Sequence, residues 1–108
     1  MKDLIIKTEV QKDSVKISLT GALILMDALK LKSELAILAQ SYNSLEIDMH
    51  GVTKVDLTGL NALISAKVNA KEGSNGIVLD VPKGHPVFEL LQLTKFTDQF
   101  LFNQSNIV

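Results

Sequence analysis

Hydrophobic and polar residues alternate at the start of the chain with the period of an extended strand. Apolar residues occupy every second position from Val15 to Leu19, and polar residues fill the positions between them. This alternation is typical of a strand that is buried on one face. Residues 4–10 alternate in a similar way, and the polar segment 11–14 joins the two runs. The pattern predicts an antiparallel hairpin that ends at Gly21.

The apolar spacing changes to the period of a helix in three later segments. The first predicted helix covers 27–42, with Asp27 as its N-cap, and the second covers 58–72, with the hydroxyl of Thr58 as its N-cap. The third covers 85–94 and has a proline in its first turn. The apolar stripes are Leu31, Leu35, Leu38 and Tyr42 in the first helix, Leu60, Leu63, Ile64 and Val68 in the second, and Val87, Leu90, Leu91 and Leu93 in the third.

Shorter apolar runs separate the helices and predict further strands. Residues 45–49 alternate, 77–81 are almost continuously apolar as in a strand buried on both faces, and 100–102 predict a short last strand. A loop through Gly51 is expected between the third strand and the second helix. The order ββαβαβα(β) predicts an α/β fold, in which a mixed sheet of four to five strands packs against three or more helices.

Length and composition are those of one globular domain. The chain has 108 residues, 46% hydrophobic and 21% charged, so we expect a single domain over 1–108 with 103–108 as a C-terminal tail. No segment has the roughly 18 consecutive apolar residues of a membrane span, and the start of the chain lacks the pattern of a signal peptide. We expect a soluble, cytoplasmic protein that does not insert into a membrane.

The inventory of chemically active side chains argues against an enzyme. Cysteine is absent and all 11 basic residues are lysine, which excludes thiolate chemistry and the bidentate recognition of nucleic acid by arginine. His50 and His85 have no second metal ligand at helical or turn spacing, and Asp48 and Asp56 flank one loop without a nucleophile. We therefore expect no catalytic residue, no metal or other cofactor, and no nucleic-acid partner. An enzyme would need a pocket that unites Asp48, His50 and Asp56.

The segment from Asp48 to Leu60 carries a motif. It places an acidic residue at the end of a strand, then a loop, and then residues 56–59, which read Asp-Leu-Thr-Gly, at the start of a helix. This segment resembles the signature of STAS domains, the fold of anti-sigma factor antagonists, which have aspartate, serine, a second hydroxyl residue and glycine at these four positions. Segments 21–24 and 86–96 resemble two further parts of the family pattern.

The resemblance implies a regulatory protein without enzymatic activity. Such a domain, also called an anti-anti-sigma factor, binds an anti-sigma factor that is a serine/threonine kinase and thereby frees a bacterial sigma factor for transcription. Phosphorylation of the serine after the aspartate switches this binding off, because a phosphate adds about −1.5 to −2 charges to the surface that the partner must cover. The implied partner is a protein, and a second copy of this chain, forming a homodimer, is a further candidate.

The chain departs from the family pattern at the position of this switch. Leu57 stands where the phosphoacceptor serine is expected and has no hydroxyl, so Thr58 is the remaining candidate phosphoacceptor. Ala22 and Ile24 stand where the family usually has acids. These exchanges predict an apolar binding surface in place of a phosphoswitch, unless Ile24 and Leu57 fold inward. The partner-binding residues implied by the resemblance are Ile24, Leu25, Met26, Asp56, Leu57, Thr58, Gly59 and Asn61.

A second functional class fits the same features. A STAS subunit of an ABC-type lipid transporter docks on the ATPase of that transporter, and it is also small and free of catalytic residues. A neighbouring gene for a kinase-like anti-sigma factor favours the first class, whereas a neighbouring gene for an ABC permease favours the second.

Overall fold

The computed structural model describes residues 4–70, 76–82, 84, 85, 87, 89, 90, 93, 101 and 102. Five strands and two helices are bounded within this part of the chain. In chain order they are β1 (Ile5–Gln11), β2 (Ser14–Leu23), α1 (Leu25–Ser41), β3 (Ser44–Val55), α2 (Leu57–Val68), β4 (Gly76–Asp80) and β5 (Leu101–Phe102).

The strands form one mixed sheet in the order β1-β2-β3-β4-β5. β1 and β2 are antiparallel, which confirms the predicted hairpin, and every later pair of neighbours is parallel. Ile47 of β3 is paired with Leu79 of β4 in the parallel register. Because parallel neighbours need a crossover, α1 connects β2 to β3, and α2 lies between β3 and β4. The predicted α/β fold with a mixed sheet is confirmed.

One face of the sheet carries the hydrophobic core. Ile17, Ile47 and Leu79, from three adjacent strands, are fully buried in one cluster with Leu31 of α1 and Leu63 of α2. Successive side chains of a strand point to opposite sides of the sheet, so the residues directly before and after each of these three positions lie on the other face. We call the face that carries Ile17, Ile47 and Leu79 the inner face, and the opposite one the outer face.

β3 is longer than the sequence predicted. It continues through the expected loop at Gly51 to Val55, because this part pairs with residues 20–23 of β2. The register shifts between the two halves of the strand, so Met49 and His50 lie opposite a single residue of β2. Such a β-bulge bends the strand and redirects the side chains next to it.

Both bounded helices differ from their predicted limits. α1 starts two residues before Asp27, and α2 runs from Leu57 to Val68, which is shorter than predicted. Asn69 follows Val68, and the side chain of asparagine competes with the helix for backbone hydrogen bonds. Val68 is 77% exposed, so it does not belong to the buried stripe that includes Leu63.

The third predicted helix lies largely outside the described residues. Of its positions, Val87, Glu89, Leu90 and Leu93 are helical, and Val87 is buried in the core cluster. The predicted tail over 103–108 lies wholly outside the described residues. Within the described ranges, no helix is both long and apolar enough to cross a membrane.

Candidate functional site

The carboxylate of Asp56 holds the starts of α1 and α2 together. Its Oδ1 accepts a hydrogen bond from the backbone N–H of Gly59 at 2.8 Å, and its Oδ2 accepts one from the N–H of Leu25 at 3.3 Å. The first four N–H groups of a helix have no partner within the helix, so each bond satisfies one of them. Asp56 therefore caps both helices and fixes Leu25 next to the start of α2.

Both predicted N-caps are wrong. Asp56 occupies the cap position of α2, where its carboxylate reaches the third N–H of the helix, and Thr58 already lies inside the first turn. Asp27 also lies inside the first turn of α1, and its Oδ2 accepts a hydrogen bond from the N–H of Leu4 at 3.3 Å. Ile24 stands at the cap position of α1 and makes no side-chain cap bond, so Asp56 supplies that bond from another segment.

Gly59 stands where α2 comes closest to the end of β2. A Cβ at this position would overlap the carbonyl oxygen of Leu23. The N–H of Asp56 donates to the same carbonyl at 3.4 Å. Glycine at this position therefore lets the start of α2 approach the segment that leads into α1.

Large apolar side chains are exposed around this junction. Leu25 is 65% exposed, Met26 is 70% exposed and Leu57 is 64% exposed. The Leu57 side chain is therefore not folded inward. We use the name helix-start surface for Ile24, Leu25, Met26, Leu57, Thr58 and Asn61.

The other members of the helix-start surface are less apolar or less exposed. Ile24 is half-buried and lines a shallow groove together with Asp27 and Lys54. Thr58 is half-buried, and Asn61, one helical turn after Leu57, is exposed. The surface thus has an exposed apolar part with polar side chains beside it.

The backbone of Leu25 has an uncommon conformation. Its φ of 50° lies in the left-handed region, which costs a residue with a Cβ on the order of 1–2 kcal/mol. The hydrogen bond from its N–H to Asp56 is made in this conformation. The hydrogen bond to Asp56 therefore ties the backbone of Leu25, in this conformation, to the start of α2.

A second group of polar side chains lies on the outer face of the sheet. Asp48 of β3 is paired in register with Asp80 of β4, and His50 stands in the bulge of β3. Nδ1 of His50 lies 2.8 Å from Oδ1 of Asp48 and 3.8 Å from Oδ1 of Asp80. We call Asp48, His50 and Asp80 the outer-face cluster. The sequence pointed to Asp48 and His50 but not to Asp80, which lies beside them through the parallel register.

Asp48 is held in its charged form. Burial acts to raise the pKa of Asp48, but hydrogen bonds from the backbone and ring of His50, with the charges of His50 and Lys16, outweigh it and leave this pKa below its ordinary value. The N–H of His50 donates to Oδ1 of Asp48 at 3.0 Å. Asp56 is not a member of this cluster, because its carboxylate binds the two helix starts.

His85 has a structural position. Its Nε2–H donates to the carbonyl oxygen of Val52 at 2.9 Å, and its Nδ1 accepts from the N–H of Val87 at 3.1 Å. Burial lowers the pKa of His85, and hydrogen bonds to the backbone of Val52 and Met49 oppose this without cancelling it. His85 is therefore a neutral side chain that ties the start of the third helical segment to β3.

Known proteins resemble this chain in sequence pattern and in fold. A family model described as Mlab, STAS domain, matches residues 6–102. No curated protein sequence matches the chain significantly. A crystal structure of an anti-sigma factor antagonist from Mycobacterium paratuberculosis is 19% identical, with a TM-score of 0.78 over 93% of this chain and 85% of that one.

Two structures of SpoIIAA are also similar. The anti-sigma factor antagonist SpoIIAA in its unphosphorylated form is 14% identical, with a TM-score of 0.70 over 92% of this chain and 87% of that one. The Bacillus cell fate determinant SpoIIAA in its phosphorylated form is 14% identical, with a TM-score of 0.65 over 92% of this chain and 91% of that one. At identities this low, the structural matches establish a shared fold only. Membership of a family is shown by the family model, which covers most of the chain. The chain therefore belongs to the family of STAS domains described as Mlab, and it has the fold of anti-sigma factor antagonists.

Proposed function

We propose that this STAS domain is a non-enzymatic regulator that binds a protein partner through its helix-start surface. The observation that carries the proposal is the exposure of Leu25, Met26 and Leu57 on two helix starts that Asp56 holds together. Such side chains gain about 25 cal/mol for each Å² of apolar surface that a partner removes from water. Grouped exposed apolar side chains are typical of contact surfaces in small proteins.

The helix-start surface is preorganised for binding. The two hydrogen bonds to Asp56 fix the relative position of the helix starts, and Gly59 permits their close approach to β2. A surface that is already ordered loses less conformational entropy when a partner binds. The half-buried Ile24 and the exposed Asn61 then supply the edge of the contact area.

The proposed binding is not switched by phosphorylation at the usual position of the family. Leu57 has no hydroxyl, and Thr58 is the only hydroxyl residue in 56–59. We expect the intact mass of the protein to stay unchanged after incubation with ATP and a partner kinase. Stoichiometric phosphate on Thr58 would contradict the unswitched mode of binding.

The partner class that we favour is an anti-sigma factor with a kinase fold. Support comes from the motif at 56–59 and from the fold, which the anti-sigma factor antagonist of Mycobacterium paratuberculosis shares. In this role the domain competes with a sigma factor for the anti-sigma factor. Because position 57 carries leucine, the competition would be controlled by the amount of the protein.

The ATPase of an ABC-type lipid transporter is the second candidate partner. The observation that favours it is the replacement of the switch position by an exposed apolar side chain at Leu57. A permanent subunit needs no reversible switch, and permanent interfaces are more apolar than transient ones. In this role the domain would stay bound to the transporter and regulate its assembly or its ATPase.

A matched pair of charge substitutions tests the use of the helix-start surface. Leu57→Asp places a charge in the middle of the apolar side chains, and Val68→Asp places the same charge at the other end of α2, on a side chain that is also exposed. We expect Leu57→Asp to weaken binding several-fold to about a thousand-fold, because the carboxylate must be buried without a partner. Val68→Asp should leave binding unchanged.

The experiment uses tagged wild-type protein and the two variants in a lysate of the source cells, with mass spectrometry of the captured proteins. A kinase-like anti-sigma factor that is lost only with Leu57→Asp supports the favoured partner, and an ABC ATPase with the same behaviour supports the second.

Circular dichroism shows whether both variants are folded, and sedimentation shows whether the chain binds itself. Equal capture by a folded Leu57→Asp variant would exclude this surface.

A further inference from the structure

We propose that the outer-face cluster of Asp48, His50 and Asp80 binds a divalent transition-metal ion of the zinc or manganese class. No residue of the helix-start surface belongs to this cluster. The inference therefore stands apart from the proposed function, and each of the two can fail without the other.

The spacing of the donor atoms fits a common metal ion. One ligand atom from each residue can be chosen so that all three lie within 4.8 Å of one another. Neighbouring ligands of an ion with bonds of about 2.1 Å are about 3.0 Å apart in an octahedron and about 3.4 Å apart in a tetrahedron. The distances from Nδ1 of His50 to Asp48 and Asp80, 2.8 and 3.8 Å, lie on either side of these values. Small rotations of the side chains would bring the three donors into a coordination sphere.

The backbone fixes these donors in place. Asp48 and Asp80 are paired positions of two parallel strands whose next residues back, Ile47 and Leu79, are fully buried in the core. The bulge of β3 carries His50. A ligand set on packed strands loses little entropy when it binds an ion.

Charge and burial also favour a cation at this position. Asp80 is only 8% exposed, and its Oδ1 lies 3.8 Å from Nδ1 of His50. Its register partner is a second carboxylate, Asp48, and like charges on paired strand positions repel each other. A divalent ion bound between Asp48 and Asp80 would offset the negative charge of the two carboxylates.

The donor set indicates the class of ion. Carboxylate oxygens suit magnesium, manganese and zinc, whereas an imidazole nitrogen suits zinc and other transition metals more than magnesium. Three protein ligands leave at least one position for water or another ligand, as in open metal sites. The ring of His50 is partly exposed, so the ion has access from solvent.

Calorimetric titration of metal-free full-length protein with Zn²⁺ is the first test, with Mg²⁺ as the comparison ion. We expect saturable binding of one Zn²⁺ per chain and at least tenfold weaker binding of Mg²⁺. His50→Gln changes a partly exposed side chain and should reduce the Zn²⁺ affinity at least about tenfold, because one of three ligands is lost. Asp13→Asn, which changes an exposed carboxylate in the turn between β1 and β2, is the matched control and should leave the affinity unchanged.

Nitrogen NMR of the two histidines gives a second readout that does not depend on a variant. The ring nitrogens of His50 should shift on addition of Zn²⁺. Those of His85 should not, because both already have hydrogen-bond partners in the protein. Added Mn²⁺, which is paramagnetic, should broaden the backbone amide signals of residues 48–50 and Asp80 more than those of other residues.

Three results would overturn the inference. The first is the absence of saturable Zn²⁺ binding to the folded wild-type protein. The second is an affinity that His50→Gln and Asp80→Asn both leave unchanged while both variants stay folded. The third is equal binding of Mg²⁺ and Zn²⁺ without a shift of the His50 ring, which would describe nonspecific attraction to carboxylates.

Discussion

The two faces of the sheet are built from neighbouring residues of the same strands and have opposite chemistry. On β3, Ile47 is fully buried in the core, and the next residue, Asp48, is a charged carboxylate on the outer face. On β4, Leu79 and Asp80 show the same contrast between an aliphatic and an acidic side chain. Alternation along a strand thus lets one face carry the packing while the other carries polar groups.

The packing of the inner face also determines where the polar side chains of the outer face lie. The parallel register that pairs Ile47 with Leu79 also pairs Asp48 with Asp80. A shift of β4 by one residue would turn Leu79 to the outer face and Asp80 into the core, so burial of Leu79 keeps the two carboxylates adjacent. Substitutions in the core and substitutions of polar side chains should therefore have effects on stability that differ in size and in physical cause.

The largest effect is expected in the core beneath the inner face. Leu63 of α2 is fully buried, and Leu63→Ala should reduce the free energy of unfolding by about 2–5 kcal/mol, because it removes buried methyl groups and leaves a cavity. Val68→Ala, on the same helix but exposed, should cost less than about 0.5 kcal/mol. Urea denaturation measures both, and a loss below half a kcal/mol for Leu63→Ala would contradict its burial.

A smaller effect is expected at Asp56, a carboxylate that has backbone N–H partners instead of an acidic neighbour. Asp56→Ala removes the cap bonds of two helices and should reduce the free energy of unfolding by about 1–2 kcal/mol. Asp56→Asn keeps an oxygen acceptor that is nearly as good a cap and should cost less. Equal losses in thermal or urea unfolding would show that the cap bonds do not act as described.

The pH dependence of stability separates the buried histidine from the exposed one. Burial lowers the pKa of His85 in the folded protein below its ordinary value of 6.5, so the unfolded chain binds a proton first as the pH falls. The contribution of His85 is fully present above pH 6.5 and is lost towards lower pH, with a slope of at most about 1.4 kcal/mol per pH unit. The charge of His50 acts in the same direction on His85.

Urea unfolding between pH 5 and 8 (a range set by histidine titration) checks this expectation in three proteins. His85→Gln should flatten the decline, whereas His50→Gln should leave most of it in place. A decline that is the same in wild type and His85→Gln would assign the acid sensitivity to other groups.

Periodicity was enough to predict the architecture, because alternation and helical spacing report burial directly. The segment around Val15 to Leu19 alternates without interruption, and it forms the strand that was predicted. The end of β3 could not be predicted, because the bulge at Met49 and His50 interrupts the alternation and Gly51 suggests a loop. The bent part of β3 forms a strand because it pairs with β2, and a local sequence pattern does not reveal pairing with a distant segment.

The candidate sites also contain features that the sequence predicted and features that depend on contacts between distant segments. The sequence left open whether Leu57 folds inward, and the structure shows that it is exposed. Its relation to Leu25 depends on the carboxylate of Asp56, which reaches across 31 positions of the sequence. The pairing of Asp48 with Asp80 depends on the register of two strands. Contacts between distant segments are set by the whole fold. The resemblance to STAS domains grouped Leu25 with Leu57 as partner-binding residues. The hydrogen bond from Leu25 to Asp56 and the position of Asp80 beside Asp48 could not be predicted.

The smallest expected effect concerns Leu25. Its apolar side chain is exposed, in contrast to Leu79 on the inner face, which is buried. At its φ of 50°, glycine is free of strain and a β-branched residue is the most strained, so Leu25→Gly should be about 1 kcal/mol more stable than Leu25→Val. Leu29, one turn further along α1 and also exposed, is the control. There the order should reverse, with Leu29→Val a few tenths of a kcal/mol more stable than Leu29→Gly, because glycine is the poorer helix former. Thermal unfolding of the four variants measures both differences. The same order at both positions would mean that Leu25 has ordinary helical backbone, and the strain assigned to the helix-start surface would then be absent.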